Sequence, residues 1–596
     1  MCFNRGVKRF LIGILCGFVL AFLAAIILLF AAARFGTRPP SVAANSTLVL
    51  RVSGALPEIA PPELPIPALQ SRAPMTLIET WDVLRKAAVD SRIKAIALEP
   101  AGVDAGWAKL SEVRDSIIKF KKSGKPVIAY LRNPNARDYY LATAADKIYL
   151  SREDILDLKG MRVEMLFFKR GLDKLGVELE IEHAGKYKDA ADAFIRTSAT
   201  PETREVMNAM LDQLYGDLVN SIANARKKNP DEVRRMIDDG PFLAPQAEKL
   251  GLIDGMLYQA DYEDVIKKRL DQSELTKLSA RDYSFTSAES LGLEGGSRIA
   301  VITGQGEIAR GSSPTGINAD ADNLYSASFN GLLRSVADDK SIRGVILRID
   351  SPGGDAIASD EMLEEVKRLS KKKPMVVSMS DVAASGGYYM AMSGDPVIAY
   401  PNTITGSIGV IFGKVNLKGL MDKLGVNVET MQRGHFADID TSVHALTPEG
   451  RVKLKEGIDH VYQSFLARVA EGRKRPVSEV AELAQGRVWM GAQAKSNKLV
   501  DELGGLDRAV ELVKERAKIA STDKVRLVLY PEKKSALEML FSSTNELLQS
   551  GSDAMIQARI EREINAQLRT VMPGANMRTL MPGGMLRILP YGIAIH

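Results

Sequence analysis

Val377-Ser-Met-Ser-Asp-Val-Ala-Ala-Ser385-Gly-Gly-Tyr-Tyr-Met-Ala-Met392 reads as a short apolar strand that breaks at a serine and two glycines and resumes as a helix. A serine at such a turn lies beside unpaired backbone N–H groups, and the helix dipole there favours negative charge. That suits a nucleophile whose attack creates an oxyanion. Gly386 and Gly387 leave room for a substrate carbonyl against the backbone. The same tripeptide in isolation is equally an N-cap serine followed by packing glycines, so its surroundings must decide.

Outward from this turn the chain alternates strands and helices, the order of a largely parallel sheet. Thr47–Val52, Ile93–Leu98 and Val127–Tyr130 read as strands separated by helices near Leu77–Ala88 and Leu110–Lys121. Residues 298–510 repeat residues 47–260 at an offset near 249: Leu84-Arg85 matches Leu333-Arg334, Asp90 matches Asp339, and Tyr139-Tyr140 matches Tyr388-Tyr389. Lys174–Val177 likewise matches Lys423–Val426, and after a two-residue slip Gln246-Ala247 matches Gln493-Ala494. A constant offset over this length predicts two tandem copies of one α/β domain.

The copies differ where chemistry belongs. Ser385 falls opposite Ala136, and Gly386-Gly387 opposite Arg137-Asp138. The loop Asp350-Ser-Pro-Gly353-Gly354-Asp355, after the strand Val345–Ile349, falls opposite Ala101–Gly106, which lacks the glycine pair. Conversely, Gly185-Lys-Tyr-Lys188 aligns with Gly434-His-Phe-Ala437, so only the first copy keeps that lysine. Each half lacks residues that the other retains.

The 596 residues carry 79 basic and 74 acidic side chains, a net charge of +5, which gives no reason to expect nucleic acid. The two cysteines, Cys2 and Cys16, both precede the expected folded region, so no disulfide or thiolate metal site is expected there. The five histidines show no i,i+4 pairing that would suggest zinc. No P-loop or dinucleotide fingerprint occurs, and no cofactor is expected. Arg5, Lys8 and Arg9 precede an apolar run of 24 residues, Phe10–Ala33, which would span about 36 Å as a helix. The run predicts a transmembrane anchor with the short basic N-terminus in the cytoplasm and the bulk of the chain across the membrane. A Pro/Thr/Ser/Ala tether follows.

A serine needs a group to accept its proton. His435, His444 or His460 would serve in a Ser-His hydrolase, but the nucleophile elbow of that class wants Gly-x-Ser-x-Gly and here Ala383 replaces the first glycine. A lysine is the other solution. Free in water at pH 7 it is deprotonated only about one part in two thousand, and enclosure between two domains would favour the neutral amine.

Asp350–Asp355, Ala384-Ser-Gly-Gly-Tyr-Tyr389, Thr405-Gly-Ser-Ile-Gly-Val410 and Gly185–Lys188, in two halves behind one anchor, resemble the signal peptide peptidase A family in its long bacterial form, also called protease IV. The resemblance covers residues 47 to about 510. It implies two crotonase/Clp-protease-like spiral domains, with Ser385 as nucleophile and Lys188 as general base. It further implies an oxyanion hole from the N–H groups of Gly354 and Gly386, with Ser407 helping to hold the lysine. Lys188 rather than Lys186 aligns with the family motif. Also implied are signal peptides as substrates, a bacterial inner-membrane location with the catalytic bulk in the periplasm, and a homo-tetramer.

The expected organisation is a cytoplasmic N-terminus at 1–9, an anchor at 10–33, a linker at 34–46, a lysine-bearing repeat at 47–296, a serine-bearing repeat at 297–520, and a tail at 521–596. Ile556, Ile560, Ile564 and Leu568 give the tail an amphipathic helical row. Besides the membrane-anchored Ser-Lys endopeptidase, three other readings compete: a Ser-His ester hydrolase, a crotonase-like acyl-CoA enzyme, and a non-catalytic membrane scaffold.

Overall fold

The computed structural model describes residues 41–60, 74–313 and 323–532, the three-residue strand 585–587, and isolated positions 13, 17, 20 and 21. The expected anchor, apart from those isolated positions, and the amphipathic row of the tail lie outside the described residues. Among the described residues no helix is long and apolar enough to cross a membrane.

The first repeat contains β1 (Ser46–Gly54), α1 (Leu77–Val89), β2 (Ile93–Val103), α2 (Trp107–Lys121), β3 (Val127–Leu131), α3 (Ala136–Ala142) and β4 (Lys147–Leu150). It continues with β5 (Glu178–Ala184), the long helix α4 (Pro201–Arg226), β6 (Gly255–Met256) and β7 (Lys277–Ser279). Its sheet runs β6-β4-β3-β2-β1-β7, and every pairing is parallel. All five residues of β3 are buried, as parallel strands covered on both faces require. Thr76 and Glu79 start α1 with a reciprocal capping box.

The second repeat contains β8 (Ser297–Gln305), β9 (Glu307–Ala309), β10 (Asn323–Tyr325), α5 (Ser326–Asp338), β11 (Ile342–Ser351), β12 (Gly354–Asp355), α6 (Ala356–Lys372) and β13 (Met375–Ala384). Then follow α7 (Gly386–Met390), β14 (Val397–Ala399), β15 (Ile404–Gly406), β16 (Val410–Asn416), α8 (Pro448–Arg473), β17 (Val488–Met490), β18 (Glu502–Leu503) and β19 (Val525–Tyr530). The equivalents of the first repeat recur in order: α1 and α5, β2 and β11, α2 and α6, β3 and β13, α4 and α8. The strand order is β17-β15-β13-β11-β8-β19, with β14 and β18 branching from β13. β19 lies beyond residue 520, yet it pairs in parallel with β8 from Ser297↔Val525 to Ile302↔Tyr530 and extends this sheet.

Apolar packing and a shared sheet join the repeats. Ile78 and Trp81 of α1 pack with Ile299, Val301, Ile346 and Val376 of the second sheet, and Trp81 Nε1 donates to Asp507 at 3.0 Å. A third sheet, in the order β10-β9-β12-β20-β16-β5, takes strands from both repeats and from β20 (Met585–Arg587). Within it β5 of the first repeat runs antiparallel to β16 of the second through seven residue pairs, Glu178↔Asn416 to Ala184↔Val410. The residue Lys188, four positions after β5, is thereby carried to the end of β13.

Candidate active site

Ser385 stands between β13 and α7 with φ 52° and ψ −115°. A non-glycine residue there holds strain of about 1–3 kcal/mol, so its neighbours must fix it. Its N–H donates to Gly406 O at 2.8 Å and its carbonyl accepts from Tyr389 N–H at 2.8 Å. β15 in turn pairs with the end of β13, from Val382↔Ile404 to Ala384↔Gly406. The serine is thus turned out of a strand clamped on both sides.

Lys188 Nζ lies 2.8 Å from Ser385 Oγ, 3.0 Å from Ser407 Oγ and 3.1 Å from Ser407 O. Both side chains of the pair belong to one chain, and the lysine, 1% exposed, is as enclosed as Ser385 and Ser407 at 0%. The lysine loop is held from the second repeat: Tyr187 N–H donates to Gln485 O at 2.8 Å. The approach needs Gly486, at φ +75°, where an added Cβ would come within 2.5 Å of Lys188 Cβ. Ser407, also at positive φ (52°), donates its N–H to Arg487 O at 2.8 Å. The Arg487 guanidinium stacks over Tyr187 at 4.9 Å and Trp489 at 4.5 Å and pairs with Glu205, tying the two loops together. None of these supports was readable from the repeat comparison; only the glycine at 486 hinted at a close backbone approach.

Gly354 and Gly386 lie side by side. A Cβ built on Gly386 would come within 3.2 Å of the Gly354 nitrogen, and one on Gly354, at φ +151°, within 2.2 Å of Ile308 O. Neither position has room for a side chain.

The other expected bases are elsewhere. Lys186 is exposed, its ammonium 4.8 Å from the Tyr187 ring centroid. His444 Nε2 is 3.0 Å from Asp438 Oδ2, and His435 packs on Phe436 with centroids 4.5 Å apart. His460 lines an open pocket between α6 and α8 with Ile357, Asp360, Tyr389 and Arg468. In the first repeat, Asp138 caps what would be the equivalent turn, accepting from Gly102 N–H at 3.1 Å, Val103 N–H at 3.0 Å and Asn135 N–H at 3.0 Å. Its carboxylate occupies the loop amides there. Among the described residues no group of His, Cys, Asp and Glu side chains could hold a metal ion.

The model of peptidase family S49 matches residues 119–275 and 367–520. The chain is 37% identical over 448 residues to the chloroplastic serine protease SPPA of Arabidopsis thaliana, covering 74% of this chain and 66% of that one. It is 31% identical over 512 residues to protease 4 of Salmonella typhi, covering 83% and 80%. To protease 4 of Haemophilus influenzae it is 32% identical over 517 residues, covering 82% of each. With two matched regions, one in each repeat, and this likeness over most of its length, the chain belongs to peptidase family S49 and is a serine-type protease.

Proposed function

We propose that this protease is an endopeptidase working through a Ser385–Lys188 dyad, with extended, mostly apolar peptides such as cleaved signal peptides as substrates. The observation that carries the reading is the 2.8 Å contact of Lys188 Nζ with Ser385 Oγ, while the Ser407 hydroxyl and carbonyl engage the same amine. A neutral amine has two N–H groups and one lone pair. That lone pair can take the Ser385 proton, and burial out of water is the condition that favours the neutral form.

In the forward step Oγ attacks the scissile carbonyl carbon as its proton passes to Nζ. The tetrahedral oxyanion is received by the N–H groups of Gly354 and Gly386. The ammonium then gives its proton to the departing amine, the C–N bond breaks, and an acyl-serine remains. Water, losing a proton to Nζ, attacks the ester; the acyl C–Oγ bond breaks as Nζ returns that proton to Oγ, and the peptide acid leaves with Ser385 and the neutral amine restored. A first domain at 47–296, a second from 297 that runs past the expected 520 to include β19, the crotonase-like spiral, the anchor at 10–33 in a bacterial inner membrane with the bulk of the chain in the periplasm, and a homo-tetramer belong to the same proposal. The sequence patterns and the family support them.

The third sheet supports a strand-like substrate. β20 runs antiparallel between β12 and β16, with Arg587 opposite Gly354 and Leu586 opposite both Asp355 and Ile411. The position flanking the candidate oxyanion donor therefore accepts an extended chain by main-chain pairing, the mode in which sheet edges recognise peptides. A peptide substrate would have to displace β20. Leu586→Pro, which removes a backbone N–H at the centre of this strand, is expected to lower KM for an extended peptide several-fold, roughly as the competent fraction rises. An unchanged KM would show that the substrate pairs elsewhere.

The direct test is covalent. A serine-reactive probe incubated with the full chain is expected to add one label, mapped to the Ser385 peptide by mass spectrometry, and to label Lys188→Met far more slowly. A label on another serine would remove the reading.

A further inference from the structure

The parallel ladder between β11 and β13 breaks just before the active site. Ile349 faces Met379, but Ser351 faces Ala383, so one residue of β11, Asp350, stands against three of β13, Ser380–Val382. Extra residues of this kind bend a strand and re-aim its end, here towards Ser385. The broken ladder is bridged by a side chain: Asp350 Oδ1 accepts from Val382 N–H at 3.1 Å.

Both carboxylates at this break are held from the other repeat. Lys109 Nζ is 2.6 Å from Asp350 Oδ2 and 3.8 Å from Asp381 Oδ2. Asp381 in turn accepts from Gly106 N–H at 2.9 Å and Lys109 N–H at 2.8 Å. It caps α2, whose own N-cap residue Gly106 supplies no side chain. A Cβ at Gly106 would fall within 2.3 Å of the Asp381 carboxyl carbon, so the contact is close-fitted.

We propose that Lys109 of the first repeat is a positioning residue for the reaction, fixing through Asp350 and Asp381 the two backbone segments that carry the oxyanion donor Gly354 and the nucleophile Ser385. The proposal rests on the dyad reading above. Asp350 opens the loop that ends at Gly354, and Asp381 lies four residues before Ser385, so one ammonium spans the base of both. Burial pushes the Asp381 carboxyl up to about 6 against the opposing pull of Lys109, with Asp350 and Glu58 as the neighbouring anions. Arg348, beside Glu58, is a further buried cation of the interface. The arrangement explains why docking of the first repeat supplies more than Lys188: it also sets the oxyanion loop.

The experiment compares Lys109→Met, Lys109→Arg and Ser385→Ala in the full chain on an extended apolar peptide, with thermal unfolding alongside. Misplacing reacting groups by about 1 Å lowers rates by up to roughly 10²-fold. Lys109→Met is therefore expected to lower kcat by about 10- to 100-fold with KM changed less than about twofold, and Lys109→Arg to recover most of kcat. Wild-type kcat in Lys109→Met, or equal losses in the Met and Arg variants that track a lower melting temperature, would overturn the proposal. Should Lys109→Met fail to fold, Asp350→Asn keeps the acceptor for Val382 and removes the charge, and is judged by the same kcat-against-KM split. Undiminished turnover by Ser385→Ala would instead overturn the dyad reading itself.

Discussion

Replacing Lys188 by Met is expected to lower kcat on a peptide substrate by about 10⁴-fold, with KM nearly unchanged. Methionine keeps the length and apolar volume of the buried stem and removes only the amine, so the fold should survive. What disappears is the acceptor for the Ser385 proton, 2.8 Å away. An alcohol that must attack without a base forfeits most of its nucleophilicity. Ser385→Ala is expected to lose as much, and the double variant no more than either single one, because the two groups act as a unit. Measurement of kcat and KM for the four proteins decides this. A Lys188→Met variant within tenfold of wild type would sink the dyad. The pairing lies within one chain, so mixing Ser385→Ala with Lys188→Met protein is expected to restore no activity. Recovery would require the pair to be shared between neighbouring copies.

How far the site could be read from the sequence follows from what a repeat comparison can see. Ser385 against Ala136 and Lys188 against Ala437 are differences at aligned positions, and they named the two residues that now lie in contact. The glycines were legible for the same reason, since Gly353-Gly354 has no counterpart in Ala101–Gly106. Ser407 was reached only through the family resemblance, and supports such as Tyr187 on Gln485 and Asp381 on Gly106 were not legible, because each is a contact between non-equivalent surfaces of the two copies. Nothing in the spacing of Gly106, Lys109 and Asp381 shows that one repeat's helix is capped by the other's strand. That depends on how α2 docks against β13. The third sheet was hidden likewise: β5 and β16 are not equivalent strands of the two repeats, and their register exists only once the halves are docked. The positive φ of Ser385 was hidden too, because a glycine would have advertised it and a serine does not. β19 escaped because Val525–Tyr530 lies beyond the recognisable repeat, and its place at the edge of the second sheet exists only through its pairing with β8.

Arg348→Met is expected to destabilise the chain by about 3–5 kcal/mol, and the deficit should grow with pH. Arg348 is 0% exposed and its Nη2 lies 3.0 Å from Glu58 Oε1 and 2.7 Å from Glu112 Oε2, both carboxylates coming from the first repeat. Its Nη1 also donates to Ser378 Oγ at 3.0 Å. Burial pushes the Glu58 carboxyl up, yet Arg348 and Lys109 outweigh it and hold it below the usual carboxylate range. Burial wins at Glu112, which stands above that range despite Arg348. Removing the guanidinium leaves two carboxyl groups buried together without their shared cation, so both should rise well above their values in the unfolded chain. A group whose folded-state pKa is raised takes up a proton on folding. Its favourable contribution is complete below the unfolded value near 4.3 and is lost as pH rises through the folded value. The variant should therefore lie nearest wild type at pH 5 and furthest from it at pH 8, when urea midpoints and slopes are measured at both. An equal deficit at the two pH values would mean that lost packing, rather than uncompensated buried charge, accounts for the damage. Because the triad spans the interface between the repeats, the same substitution should also loosen the docking that brings Lys188 to Ser385. Loss of activity at pH 8 is then expected at denaturant concentrations below those that unfold the remainder of the chain.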